Sequence, residues 1–209
     1  SFELFRRWVV SDKKILELEK ATKQTELQQL KKQINPHFLF NMLNNANILV
    51  KDAPDEASQI LEKLDNLLRY QLNDSTRREV FLTADIQFLT SFLELEKVRR
   101  DHFEYTIFQE GNMENICIPP LLFIPFVENA VKHNLDSDNL SYVHLYFSVH
   151  NKQLTFRCEN SKPRVPVKRE GGIGLANVKR RLDLLYESRY TLQIEDKETT
   201  YNVNLHLNL

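Results

Sequence analysis

An α+β fold, in which a helical hairpin is followed by an α/β sandwich, is predicted by three features of this sequence. Up to about residue 78 there is no glycine, and apolar residues recur at helical spacing. Beyond it, helical runs alternate with runs of period two. Three of the four glycines, Gly171, Gly172 and Gly174, crowd the head of a helical run.

The first part carries Leu27, Leu30 and Ile34, then Ala57, Ile60, Leu61, Leu64, Leu67 and Leu68, the pattern of two helices joined by a short turn. Asp52 and Pro54 supply the start signal of the second helix. Each helix has an apolar stripe wider than one partner covers, so the hairpin reads as a dimerisation segment that forms a four-helix bundle in a homodimer. The second part opens with a helix capped by Thr83 and carrying Ile86, Leu89 and Leu93. Two further helices are read over PPLLFIPFVENAVKHN and GGIGLANVKRRLDLLY. Period-two runs follow at Val143, Leu145, Phe147 and Val149, at Leu154, Phe156 and Cys158, at Leu192 and Ile194, and at Tyr201, Val203, Leu205 and Leu207. Helices interspersed with adjacent strands of this kind imply a mixed sheet covered by helices on one face. SKPRVPVKREGG has no periodicity and is read as a loop placed where a ligand lid would sit. The domains are therefore 1–78, with signalling and hairpin helices, and 79–209, the sandwich.

Lysine and arginine total 28 against 29 acidic residues, a net charge of −1, which excludes a general nucleic-acid surface. Cys117 and Cys158 sit in apolar runs and read as buried thiols of a cytosolic protein. The longest apolar run, ICIPPLLFIPFV, is short for a membrane span and holds three prolines. The chain has no signal peptide and begins inside a helical pattern, so a piece of something longer is expected. Phe5, Arg6, Arg7 and Trp8 fit either a juxtamembrane connection or an ordinary coiled-coil start.

Three stretches bear chemistry. The glycine cluster lets backbone N–H groups approach an anion at a helix N-terminus, though a glycine turn into a helix is also plain loop geometry. FVENAVKHN gathers Glu128, Asn129, Lys132 and His133 on one helix, otherwise the polar face of an amphipathic helix. INPHFLFN sets Pro36 directly before His37, where a proline bends or loosens a helix just ahead of the imidazole.

Together these stretches resemble, in content, order and spacing, the LytS/YehU-type sensor histidine kinases, whose catalytic half is of the GHKL type. LKKQINPHFLFNMLNN is similar to the phosphoacceptor segment, IPPLLFIPFVENAVKHN to the N box and GIGLANVKRRLDLLY to the second glycine box. The resemblance implies ATP and Mg²⁺ as cofactors, with Asn129 holding the metal against the phosphates. It implies that Lys132 and His133 face the phosphates or the lid, that Glu128 orients hydration or acts as a weak base, and that Gly172, Gly174, Leu175 and Asn177 belong to the nucleotide-binding run. Arg181, further along that helix, is read as structural. At the adenine position the family's aspartate is replaced: FRCENSK aligns Asn160 there, or Glu159 if the alignment shifts by one.

The implied function is a two-component kinase that moves a phosphoryl group from Mg·ATP to His37 and then to an aspartate of a response-regulator protein. Asn41, one turn beyond His37, is the candidate for positioning a water against a phosphorylated species. The implied location is the cytoplasmic portion of an inner-membrane sensor. Two other classes stay open: a GHKL-type ATPase without phosphohistidine, and a nucleotide-binding or degenerate signalling scaffold.

Overall fold

The computed structural model describes residues 36–134, 139–163 and 173–209. The chain divides into two compact units, Ser1–Gln33 and Ile34–Leu209, and every described residue lies in the second. Leu27, Leu30, Ile34, Gly171, Gly172 and most of the lid-like loop fall outside the described residues, as do the side chains of Pro36 and His37.

Helices α1 (Pro36–Asp52) and α2 (Pro54–Leu72) form the hairpin. Pro36 is the first described residue of α1. Pro54 opens α2, where its missing N–H is one that no helical bond would use; the cap position belongs to Ala53, and Asp52 closes α1 instead of capping α2. In α1, Phe38, Met42 and Ala46 recur at intervals of four and are buried. Helix α3 (Leu82–Arg99) follows a short strand, β1 (Val80–Phe81). Thr83 does not cap it: the cap position is Phe81, with no side-chain bond, and the Leu82 N–H is taken by the Ile116 carbonyl at 2.8 Å. Ten of the side chains of α3 are buried, because the hairpin covers one flank while the sheet and α4 (Ile124–His133) cover the other.

The main sheet runs β2 (Phe103–Gly111), β4 (Ser141–His150), β5 (Gln153–Ser161), β7 (Thr200–Asn208) and β6 (Tyr190–Asp196). β2 and β4 are parallel and the other pairings antiparallel, which makes the sheet mixed. β3 (Cys117–Ile118) pairs with β1 at the side. β2 was not read from the sequence, although Phe103, Tyr105 and Ile107 alternate. Only Cys158 is a buried thiol; Cys117 is exposed, because a two-residue strand turns it away from Ile118. Helix α5 (Ile173–Tyr186) completes the layer on the sheet.

Phe156 pins α4 to the sheet. It is fully buried, with ring centroids 4.5 Å from Phe123, 5.0 Å from Phe147 and 5.8 Å from Phe126 of α4. Phe156→Ala is expected to cost about 3–5 kcal/mol, the range for emptying an aromatic site in a core. Equilibrium denaturation with urea measures it, and a cost under about 1 kcal/mol would mean the cluster collapses into the space.

Candidate nucleotide and phosphoacceptor site

The helix expected over PPLLFIPFVENAVKHN is shorter than that run: α4 starts only at Ile124, and Pro119–Phe123, the first part of the N box, forms a turn. Two consecutive prolines keep this stretch out of a helix. Leu121 there takes φ 56°, a left-handed conformation that costs a branched L-residue about 1–2 kcal/mol. Within α4, Phe126, Val127, Ala130 and Val131 face the core, which leaves Glu128 and Asn129 half-buried, Lys132 exposed and His133 partly exposed. The end of the helix is clamped. The buried Asn134 accepts from Arg100 Nη1 at 3.0 Å and donates to the Tyr142 carbonyl at 3.1 Å, while Arg100 Nη2 donates to Ser141 Oγ at 3.3 Å.

α4 packs against β5 and α5, so the three motif-bearing elements meet. Along β5 the side chains of Leu154, Phe156, Cys158 and Asn160 point to the helix-covered face. Asn160 is buried, and its Nδ2 donates to the Ser161 carbonyl at 2.8 Å. Glu159 lies on the opposite face, 2.5 Å from Arg157 Nη2, and accepts from the Tyr142 hydroxyl at 3.4 Å. Strand period therefore separates the two candidate adenine readers, and only Asn160 shares a face with α4. On α5, Gly174 lies in the first turn, Leu175 packs on the core, Asn177 is half-buried and Arg181 is buried. Asn41, on α1, is half-buried and engaged by neighbours.

α1 reaches this site. Phe38 packs on Phe92 of α3 with ring centroids 5.0 Å apart. Phe38, Leu67, Gln71, Ile124 and Glu128 line a cleft of about 10 Å³, room for about one water. Gln71 Oε1 is buried there without a hydrogen bond among the described residues. Burial, and secondarily the nearby Glu96 carboxylate, push the Glu128 carboxyl up to about 7.

Behind the cleft lies a network that the sequence did not disclose. Asp85 of α3 is fully buried and accepts from the Tyr70 hydroxyl of α2 at 2.5 Å and from the Leu121 N–H at 3.0 Å. Arg181 donates from Nη1 to the Leu121 carbonyl at 2.6 Å and from Nη2 to the Pro120 carbonyl. Burial drives the Asp85 carboxyl up to about 6, while Tyr70, Leu121 and Arg181 hold it from rising further. An acidic residue amid the apolar positions of a helix, as Asp85 is between Leu82 and Ile86, was the available signal.

Residues 25–103 match the family described as histidine kinase. The chain is 30% identical over 203 residues to the sensor protein LytS of Staphylococcus haemolyticus, covering 90% of this chain and 35% of that protein. It is 31% identical over 119 residues to the sensor histidine kinase YpdA of Escherichia coli, covering 57% and 21% of the two chains. A solved structure of a bacterial phosphotransferase shares the fold, with a TM-score of 0.50 at 10% identity over 88% of this chain and 96% of that one. The chain is thus related to the histidine kinases, and among them to the LytS-type sensors. It spans about a third or less of the length of these curated relatives. No helix among the described residues is long and apolar enough to cross a membrane.

A carboxyl raised from 4.5 to about 7 on folding gives the folded state extra proton affinity, so its stabilising contribution is complete below about 4.5 and is lost as pH rises through 7. Glu128→Gln removes that loss. The variant is expected to gain on the parent between pH 4.5 and pH 8 by roughly 1–3 kcal/mol, with partial exposure discounted. Urea unfolding at the two pH values measures this, and parallel pH dependence in both proteins refutes it.

Proposed function

We propose that this chain is the kinase portion of a two-component sensor, transferring the γ-phosphoryl group of Mg·ATP to a ring nitrogen of His37 and thence to an aspartate of a response regulator. The observation that carries the reading is that the hairpin bearing His37 packs on α3 and shares a cleft with the helix bearing the N box. Phe38, its neighbour in sequence, lines one cleft with Glu128. The roles divide along the domains 1–78, for dimerisation and phosphoacceptance, and 79–209, for nucleotide binding.

The residues present fit Mg·ATP. Among the described residues no group of three or more His, Cys, Asp or Glu is arranged to hold a metal, so an all-protein cage is not the design. A hard cation that keeps several waters, held mainly by phosphates and one amide oxygen, suits the half-buried Asn129. When bound, Mg²⁺ neutralises the phosphate oxygens. Lys132 and His133 supply further positive or hydrogen-bonding groups in the last turn of α4, and Gly174, Leu175 and Asn177 offer the phosphates the N-terminal turns of α5, while Gly172, outside the described residues, is assigned to the same run by the resemblance. Asn160 accepts from the adenine amino group as a neutral partner. His37 attacks as neutral imidazole, the bond from the γ-phosphorus to the bridging oxygen breaks so that ADP leaves, and Glu128, half-ionised near pH 7, takes up the ring proton as the N–P bond forms. Asn41 holds a water for the later loss of phosphate.

A homodimer is proposed from the exposed face of the hairpin. Phe40 is 66% exposed, Ile48 69% and Leu72 62%, more apolar surface than a lone helix pair leaves in water. The parent protein is proposed to be a membrane sensor with this portion in the cytoplasm, in keeping with its sensor relatives.

Incubation with labelled ATP tests the reading. The parent is expected to retain acid-labile phosphate. His37→Gln should lose it while still binding nucleotide, and Asn129→Ala should lose nucleotide binding itself, read by calorimetry. Phosphate released to solution without labelled protein indicates an ATPase, and neither label nor release indicates a scaffold. Label surviving in His37→Gln removes the phosphoacceptor assignment.

Ile48→Glu is expected to convert the dimer to a 24.8 kDa monomer by light scattering, with nucleotide affinity unchanged. A parent that is already monomeric would remove the four-helix bundle.

A further inference from the structure

Three elements, α2, the turn before α4 and α5, converge on the Asp85 carboxylate of α3, and the convergence links the two halves of the proposed reaction. Tyr70 belongs to the hairpin that carries the phosphoacceptor segment. Arg181 belongs to α5, which lies within the second glycine box. Between them, Leu121 is held in its left-handed conformation by Asp85 on its N–H and by Arg181 on its carbonyl.

This network is incompletely satisfied. Arg181 Nε is buried without a hydrogen-bond partner among the described residues and interacts electrostatically with Asp85, whose carboxylate also draws on the Phe123 backbone besides Tyr70 and Leu121. An unmet donor beside an opposite charge allows a second arrangement, in which Arg181 leaves the 120–121 carbonyls and meets Asp85. Turning Asp85 toward Arg181 withdraws its other oxygen from Tyr70. Two arrangements of a packed, charged network are the usual substrate of a switch.

We propose that Tyr70, Asp85 and Arg181 are positioning residues of a relay through which polyphosphate held at the start of α5 loosens α2 from α3, releasing the hairpin for phosphoryl transfer. The proposal rests on the nucleotide-binding reading above. A helix moves as a rigid body, so a shift at its first turn is carried two turns along to Arg181. Coupling of this kind is reciprocal: whatever factor nucleotide contributes to hairpin release, hairpin release contributes to nucleotide affinity.

The test pairs hydrogen exchange of the amides of residues 54–72 with calorimetry, using Mg²⁺ and a non-hydrolysable ATP analogue on the whole chain. In the parent the analogue is expected to speed exchange across 54–72. Tyr70→Phe keeps the ring and loses only the hydroxyl; its exchange should be fast with or without analogue, and its analogue affinity about fivefold or more higher. A purely structural tyrosine would raise exchange and leave the nucleotide response and the affinity unchanged. Exchange in the parent that ignores the analogue, a response that persists in Tyr70→Phe, or affinity that does not rise overturns the relay. A parent that binds no analogue fails the nucleotide reading itself and takes the relay with it.

Discussion

A helix buried over most of its circumference must find partners on more than one side, and the arrangement around α3 follows from that requirement. Leu82, Leu89 and Leu93 share one stripe of the helix and Leu95 lies across from it, and all four are fully buried. The sheet covers one flank, and the hairpin must cover the other. The same requirement fixes where polar groups are tolerated. Asp85 and Glu96, both buried, lie where α3 meets another group able to answer them: Tyr70 and the Leu121 N–H for the first, Arg99 at 2.7 Å for the second. The hairpin is consequently bound to the sandwich by a buried polar bond as well as by aromatic contact at Phe38 and Phe92.

Much of this was legible in sequence wherever one period dominated. The strands at 141–150, 153–161, 190–196 and 200–208 were marked by alternation, and the hairpin by spacing of three and four. The failures have local causes. Pro119 and Pro120 sit in a continuous apolar run, and apolarity without period suggested a helix that begins only at Ile124. β2 alternates over only its first half, since its later residues, Phe108 among them, are exposed on both sides. Thr83 has the chemistry of a cap, but β1 and the Ile116 carbonyl had already fixed where α3 begins.

The candidate site divides in the same manner. Asn129, Lys132, His133 and Asn160 could be nominated because they lie in contiguous motifs, and the strand register then separates Asn160 from Glu159. Tyr70, Arg100, Asn134 and Arg181 act through partners that chain distance hides; Arg181 reaches carbonyls 60 and 61 residues away. A motif discloses the residues that would touch a ligand more readily than those that hold the motif in place.

The parallel pairing of β2 with β4 has a consequence for the order in which the molecule is built. Antiparallel neighbours are joined by tight connections and can zip from a turn, as β4 and β5 do around Asn151 and Lys152. β2 cannot meet β4 until the chain between Gly111 and Ser141, which contains α4, has crossed over. Loop closure must therefore precede the contacts that reward it. The helix bearing the N box is itself that crossover, so a nascent chain lacking β4 has neither an anchored sheet edge nor a seated Asn129, and that side chain arrives in place only as the sheet closes.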